Sequence, residues 1–199
     1  MTLLVDALKG YKIILASSSP RRKQLLSGLD IDFTIENNCG VSEEYDNNEI
    51  PEKIPETLSI RKSMGFGREL HPEEIIITAD TLVICDGVIL GKPADKNESL
   101  TMLRMLSGKS HKVISAVTLR SINKTITFSA QTTVYFKILS EKEINYYIDN
   151  YKPFDKAGSY GAQDWIGYTA IKKIEGSYYN VIGMPVEELS EKLIEFVSS

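Results

Sequence analysis

The run Ile75-Ile76-Ile77-Thr78-Ala79 is the feature that most constrains this 199-residue chain. Four β-branched residues in succession favour extended backbone, and a strand without polar alternation must have both of its faces covered. That is the situation of a central strand in an α/β sheet with helices on either side. Asp80-Thr81 follows at once, so the run predicts a carboxylate where a central strand ends and meets solvent. With 42% apolar residues, the chain can bury the core of one domain, 1–199, built as two lobes.

Other segments fall into place around that strand. Lys12 to Ala16 reads as a second buried strand, and Ser19-Pro20 after it as a helix start: Ser19 caps, and Pro20 takes the first helical position, where its missing N–H costs nothing. This helix turns Leu25 and Leu26 inward and should stop at Gly28 in a left-handed turn. Ile31 to Ile35 alternates as a strand. Residues 36–56 are acidic and aperiodic, a loop too long for mere connection and of the kind that lines sites. A helix is predicted from Glu56 to about Arg68. Asp86-Gly87 between two apolar triplets predicts a hairpin, and Asp95 with Glu98 a helix that ends at Gly108. Residues 112–120 and 125–137 alternate with period two and predict an antiparallel pair. Ser140 with Glu143 forms a capping box before a helix to about Asn150, and Pro185 to Val197 is an amphipathic closing helix. Strands and helices alternate without a regular βαβ period. The expected fold is therefore α/β, a mixed, twisted sheet with flanking helices in two lobes around a central cleft.

Composition excludes several classes of function. A formal charge of -4 does not suit a protein that grips nucleic acid through a broad basic face, so any anion must be held locally. Cys39 and Cys85 are far apart and without paired spacing, which gives neither a disulfide framework nor a cysteine zinc site. No apolar run approaches the length that spans a bilayer, and residues 1–16 lack a leader pattern, so no membrane is expected and the compartment is read as cytoplasmic.

Ser17-Ser18-Ser19-Pro20-Arg21-Arg22 gathers hydroxyls, backbone N–H groups and two guanidinium groups at one strand-to-helix junction. Two Arg in a first helical turn oppose the helix dipole, so a phosphate chain or an ion pair with the acidic loop should compensate them. Asp80-Thr81 occupies the position where open α/β sheets place working carboxylates, although an Asp there also suits a plain turn. Gly91-Lys92-Pro93 lacks the P-loop spacing, yet Lys92 can still direct one charge at a site. Glu43 and Glu44 offer the oxygen ligands Mg²⁺ prefers, or simply surface charge. His71 and His111 have no metal-ligand partner at i+4. In Asp155 to Gln163, Gly158 and Gly161 would let the backbone approach a flat ligand, with the Gln163 amide at the far end as donor and acceptor.

Taken in order, these segments resemble the Maf-like family of nucleoside triphosphate pyrophosphatases. The likeness runs from Leu15 to Arg22, through Ala79-Asp80-Thr81-Leu82-Val83, Gly91-Lys92-Pro93, Leu106-Ser107-Gly108 and Asp155 to Gln163, to Gly176 to Pro185. It covers nearly the whole chain, and its late segments match the branch associated with dTTP and UTP. The resemblance implies the Maf and ITPase-like fold and hydrolysis of a triphosphate to monophosphate and pyrophosphate. It implies Asp80 and Lys92 as catalytic residues, with Asp80 an acid–base or metal-holding carboxylate. Arg21, Thr81 and Gln163 would tune substrate choice, and Ser17, Arg22, Lys62 and Lys92 would hold the triphosphate. A divalent cation, Mg²⁺ or alternatively Mn²⁺, would sit with Asp80 and Glu43, or with Glu44 in place of Glu43, and the family's frequent homodimer is the corresponding expectation for assembly. Three departures stand out: Ser42 in place of Asp, Ser63 in place of Ala, and Ala162 in place of a larger aliphatic residue. A nucleotide-binding regulator of cell division without hydrolysis, and a purine pyrophosphatase of the ITP type, are the alternatives.

Overall fold

The computed structural model describes residues 2–37, 40–42, 44–46 and 48–198. In chain order these form α1 (Leu4–Ala7), β1 (Lys12–Leu15), α2 (Pro20–Ser27), β2 (Phe33–Ile35), a 3₁₀ turn (Pro51–Lys53) leading into α3 (Ile54–Met64), β3 (Glu74–Cys85) and β4 (Val88–Leu90). There follow α4 (Lys96–Leu106), β5 (Ser110–Arg120), β6 (Thr125–Phe136), α5 (Glu141–Tyr151), a 3₁₀ turn (Ala157–Ser159), α6 (Trp165–Ala170), β7 (Ile171–Glu175), α7 (Tyr178–Ile182) and α8 (Val186–Ser198). Seven strands make one mixed sheet in the order β2-β1-β3-β5-β6-β7, with β4 paired to β3 off this path. The expected mixed α/β class is what the chain adopts.

β1 lies parallel to both β2 and β3, in the register Ile13↔Phe33 and Leu15↔Ile77. Between β1 and β2 the chain crosses over through α2, whose Ser19 accepts a hydrogen bond from the Arg22 amide and whose first residue is Pro20, as predicted. The helix end differs from expectation. Gly28 is right-handed at φ -72, and the left-handed residue is Asp30, at φ 54, a conformation Asp tolerates better than most side chains.

The larger correction concerns β3. Asp80 is not at a strand end; it lies within a twelve-residue strand and is buried, 8% exposed. Asp80-Thr81 is a two-residue polar interval in a strand that continues through apolar Leu82 to Cys85, with β5 as its neighbour in the sheet. The strand then turns at Asp86-Gly87, both at positive φ, into β4 with Val83 opposite Leu90, as the hairpin signal requires. The capping box of Ser140 and Glu143 opens α5, and Asp95 caps α4.

The chain divides into two compact units. One comprises Met1–Asp80, Ser115–Ala130 and Gly183–Ser199, the other Thr81–Ile114 and Gln131–Ile182. Strands β3, β5 and β6 contribute residues to both. In the first unit Ile14, Ala16, Phe66, Leu70 and Ile76 cluster. In the second, α4 and α5 bury Leu103, Leu106, Ile144, Tyr147 and Ile148 with Val83, Val113 and Val134 of the strands. Cys85 is a fully buried thiol whose pKa burial pushes up; Cys39 lies outside the described residues. No described helix is long and apolar enough to cross a membrane.

Candidate active site

In the first unit the parallel register fixes the site. Because Leu15 of β1 stands opposite Ile77 of β3, the segment leaving β1 departs at the end of the pair toward which β3 carries Asp80. Ala16 stays tied there, its amide donating to the Ile77 carbonyl at 2.9 Å. Ser17, 9% exposed, accepts a hydrogen bond from the Ser19 amide at 3.2 Å. Arg21 and Arg22 are half-buried on the first turn of α2. Arg22 donates from Nε to the Gly183 carbonyl at 3.1 Å.

α3 brings Lys62 to Asp80. The Lys62 Nζ stands 2.6 Å from Asp80 Oδ1, with the two side chains 14% and 12% exposed. A buried carboxylate needs such a partner, since an uncompensated charge away from water is costly. The pairing depends on the seat of α3, and that seat is made of hydroxyls. Thr78 donates to the Ser59 carbonyl at 2.7 Å, and Ser59 donates to the Glu56 carbonyl at 2.9 Å. Ser59 Oγ lies 2.9 Å from Thr118, which lies 2.9 Å from Thr127. With the Ser59 proton spent on Glu56, the chain of donation must run Thr127 to Thr118 to Ser59. Arg120 grips the last turn of α3, donating to the hydroxyl and carbonyl of Ser63 at 3.0 and 2.7 Å, which gives that serine a use an alanine could not serve. Arg61 donates to the carbonyls of Ser42 and Glu44. Glu43 itself lies outside the described residues, and Glu44 is exposed.

In the second unit Thr81 is half-buried on β3, and Lys92 is exposed on the turn after β4. That turn is joined to the glycine-rich segment: the Gly158 amide donates to the Gly91 carbonyl at 3.0 Å. Gly158 adopts φ 67, and a Cβ there would meet Val83 at 3.1 Å. At Gly161 a Cβ would meet the Asp164 carboxylate at 2.6 Å. Gly158 is therefore required by its backbone conformation and by Val83, whereas at Gly161 the obstacle is the movable end of a side chain. Gln163 has a buried Oε1 with no hydrogen-bond partner, an acceptor whose need for a donor the protein itself leaves unmet. Beneath this segment Tyr160 meets His111 Nε2 at 2.7 Å, and their rings pack edge-on with Phe136. Burial holds His111 down at about 4.

Sequence reasoning missed Ser59, Tyr147 and Asp164. Tyr147 carried a signal, for it shares the buried face of α5 with Ile144 and Ile148, and a phenol on a buried face must find partners.

A model of the Maf-like protein family matches residues 12–196. A dTTP/UTP pyrophosphatase of Phocaeicola vulgatus is 48% identical over 190 residues, 96% of this chain and 98% of its own. One from Porphyromonas gingivalis is 48% identical over 198 residues, 98% of this chain and all of its own. One from Christiangramia forsetii is 45% identical over 197 residues, 99% of this chain and 100% of its own. Among solved structures, a nucleoside-triphosphatase / dITP/XTP pyrophosphatase from Mycobacterium abscessus is 12% identical over 94% of this chain and 97% of its own, at TM-score 0.40.

Proposed function

The chain belongs to the Maf-like family, and on that premise we propose that it hydrolyses dTTP and UTP to the monophosphate and pyrophosphate. The observation that carries the chemistry is the Lys62–Asp80 pair, a carboxylate and an ammonium 2.6 Å apart and largely withdrawn from water, on the strand beside β1, at whose end α2 begins with its amides and two guanidinium groups. A nucleoside triphosphate carries close to four negative charges, and a protein of net charge -4 must gather its cations locally to receive it.

Ser17, Arg21, Arg22, Lys62 and Lys92 are assigned to the triphosphate. Arg binds phosphate oxygens with two parallel N–H donors, and the amides at the start of α2 favour the same charge. When phosphate oxygens become partners of Lys62, Asp80 Oδ1 is released for the reaction. Water adds to the α-phosphorus, the bond to the bridging oxygen breaks, and pyrophosphate leaves. Asp80 contributes either as base toward that water or as ligand to a divalent cation.

The donor set suits Mg²⁺ or Mn²⁺ in one specific way. Among the described residues no group of three or more Asp, Glu, His or Cys could hold an ion alone, but Mg²⁺ takes one or two carboxylates and completes its shell with substrate phosphates and water. Asp80 would supply the carboxylate, with Glu43 as the second. The cation would neutralise charge building on the phosphate oxygens.

Arg21, Thr81 and Gln163 are assigned to substrate choice. Uracil and thymine present an acceptor, donor, acceptor edge, and the partnerless Oε1 of Gln163 suits the central N–H donor. Cytosine has an acceptor in that place, so the same amide orientation would face a mismatch.

The test is a panel of UTP, dTTP, CTP, ATP, GTP and ITP with detection of pyrophosphate. UTP and dTTP should be turned over with the highest kcat/KM, and chelation of divalent cations should abolish turnover until Mg²⁺ is returned. Binding without pyrophosphate release would indicate a regulator, and preference for ITP a purine enzyme; full activity in excess chelator would remove the metal from the account.

A further inference from the structure

The segment Gly161-Ala162-Gln163-Asp164 is a closed turn, the Asp164 amide donating to the Gly161 carbonyl at 3.0 Å. Gln163 is thus one of its two central residues. One buried hydroxyl holds both corners of this turn: the Gly161 amide donates to Tyr147 Oη at 3.0 Å, and the Tyr147 hydroxyl donates to Asp164 Oδ2 at 2.7 Å. Tyr147 is fully buried on α5, so its phenol has a single proton to give, and burial together with Asp164 drives its pKa up and keeps that proton in place.

The behaviour of Asp164 shows that this arrangement has its own logic. It stands at the N-cap of α6, where an Asp normally accepts from the first-turn amides, a contact of about 1 kcal/mol. Here the side chain makes no capping bond. Its carboxylate is turned to Tyr147, with Lys156 Nζ 3.8 Å away on the other side. The next residue, Trp165, packs edge-on against Tyr146 of the same α5 helix. The turn that carries Gln163 is therefore held from α5 at each end.

We propose that Tyr147 is a positioning residue for base selection: through Gly161 and Asp164 it holds the turn that carries Gln163, so that the Gln163 side chain meets the pyrimidine from a fixed place. The inference rests on the assignment of Gln163 to the base. An amide free to rotate by half a turn would serve cytosine as well as uracil, because its donor and acceptor exchange places. Discrimination then needs the amide presented from one place, where the surrounding groups can favour one of its two orientations, and the Tyr147 hydroxyl fixes the backbone that presents it.

The experiment compares the ratio of kcat/KM for UTP to that for CTP in wild type, Gln163→Ala, Tyr147→Phe, and the double variant, together with Asp164→Ala and Asp164→Asn. Gln163→Ala should bring the ratio near one. Tyr147→Phe keeps the ring but removes the hydroxyl, and should lower the ratio by about tenfold or more while kcat for UTP changes much less. The double variant should be no less selective than Gln163→Ala alone. Asp164→Ala should act like Tyr147→Phe, whereas Asp164→Asn, whose amide oxygen still accepts from Tyr147, should restore the ratio; this pair carries the test if Tyr147→Phe does not fold. A collapse in Gln163→Ala with an unchanged ratio in Tyr147→Phe and Asp164→Ala overturns the positioning role alone. An unchanged ratio in Gln163→Ala overturns the assignment of Gln163 and the role of Tyr147 with it.

Discussion

The Lys62–Asp80 pair and the Tyr147-held turn solve the problem of placing a polar group in opposite ways. Lys62 reaches Asp80 on a flexible four-carbon stem, and what is fixed is the helix beneath it, through the hydroxyls of Ser59, Thr78 and Thr118. Gln163 instead rides on a short turn whose own backbone is fixed at both corners. An ion pair on a mobile side chain can exchange partners when phosphate arrives, because attraction to another charge replaces the one given up. A hydrogen-bonded turn cannot exchange anything without opening. The difference suits the tasks: handling a charged, reacting chain requires release, and telling one base from another requires that the reading group stay where it is.

The comparison is sharpened most by the arginines of α2. Arg21→Ala should weaken nucleotide binding by about 1.5 to 3 kcal/mol, roughly 10- to 150-fold, with little change in Tm, since the group acts on phosphate. Arg22→Ala should lose similar affinity and, in addition, about 0.5 to 1.5 kcal/mol of stability through the bond to the Gly183 carbonyl. Titration calorimetry with a non-hydrolysed UTP analogue and thermal melts check both. A fall in Tm with affinity unchanged would mean that the pair braces the fold. Arg22→Ala should leave the ratio of UTP to CTP unmoved, since that guanidinium is assigned to phosphate alone.

A smaller effect separates the two units by acid. In the second, burial lowers His111 from 6.5 to about 4. The unfolded chain then binds the proton first, so this contribution to stability is complete above pH 6.5 and is lost as pH falls to 4. In the first unit Arg68 donates to Glu74 at 2.8 Å and holds its carboxyl down from 4.5 to about 2. That contribution is complete above pH 4.5 and disappears only as pH falls to 2. Melts across pH should therefore weaken first between 6.5 and 4, and that portion should flatten in His111→Phe. An unaltered slope in His111→Phe would assign the early loss elsewhere.

What could be read from the sequence was what local chemistry decides. Ser19-Pro20, Asp86-Gly87 and Ser140 with Glu143 specify their own caps and turn within four residues, and Asp80 was singled out by the strand that bears it. The extent of β3 was not legible, because a two-residue polar interval inside a strand and a strand end have the same composition; β5 beside it decides the matter. The demand for glycine at Gly158, set by its positive φ and by Val83 of β3 close at hand, has no mark in the local sequence. The partnership of Lys62 with Asp80 spans 18 positions, and that of Tyr147 with Asp164 spans 17. Tertiary pairs of this kind have no local signature.

The central claim is that hydrolysis rests on the carboxylate of Asp80, and release of pyrophosphate from UTP by Asp80→Asn in the presence of Mg²⁺ tests it most directly. The amide is close in shape to the carboxylate but has neither its charge nor its basicity. The account predicts a fall in rate of about a thousandfold or more, equivalent to some 4 kcal/mol of barrier, in a variant whose circular dichroism and melting remain those of a folded chain. A folded Asp80→Asn protein that releases pyrophosphate near the wild-type rate would contradict it.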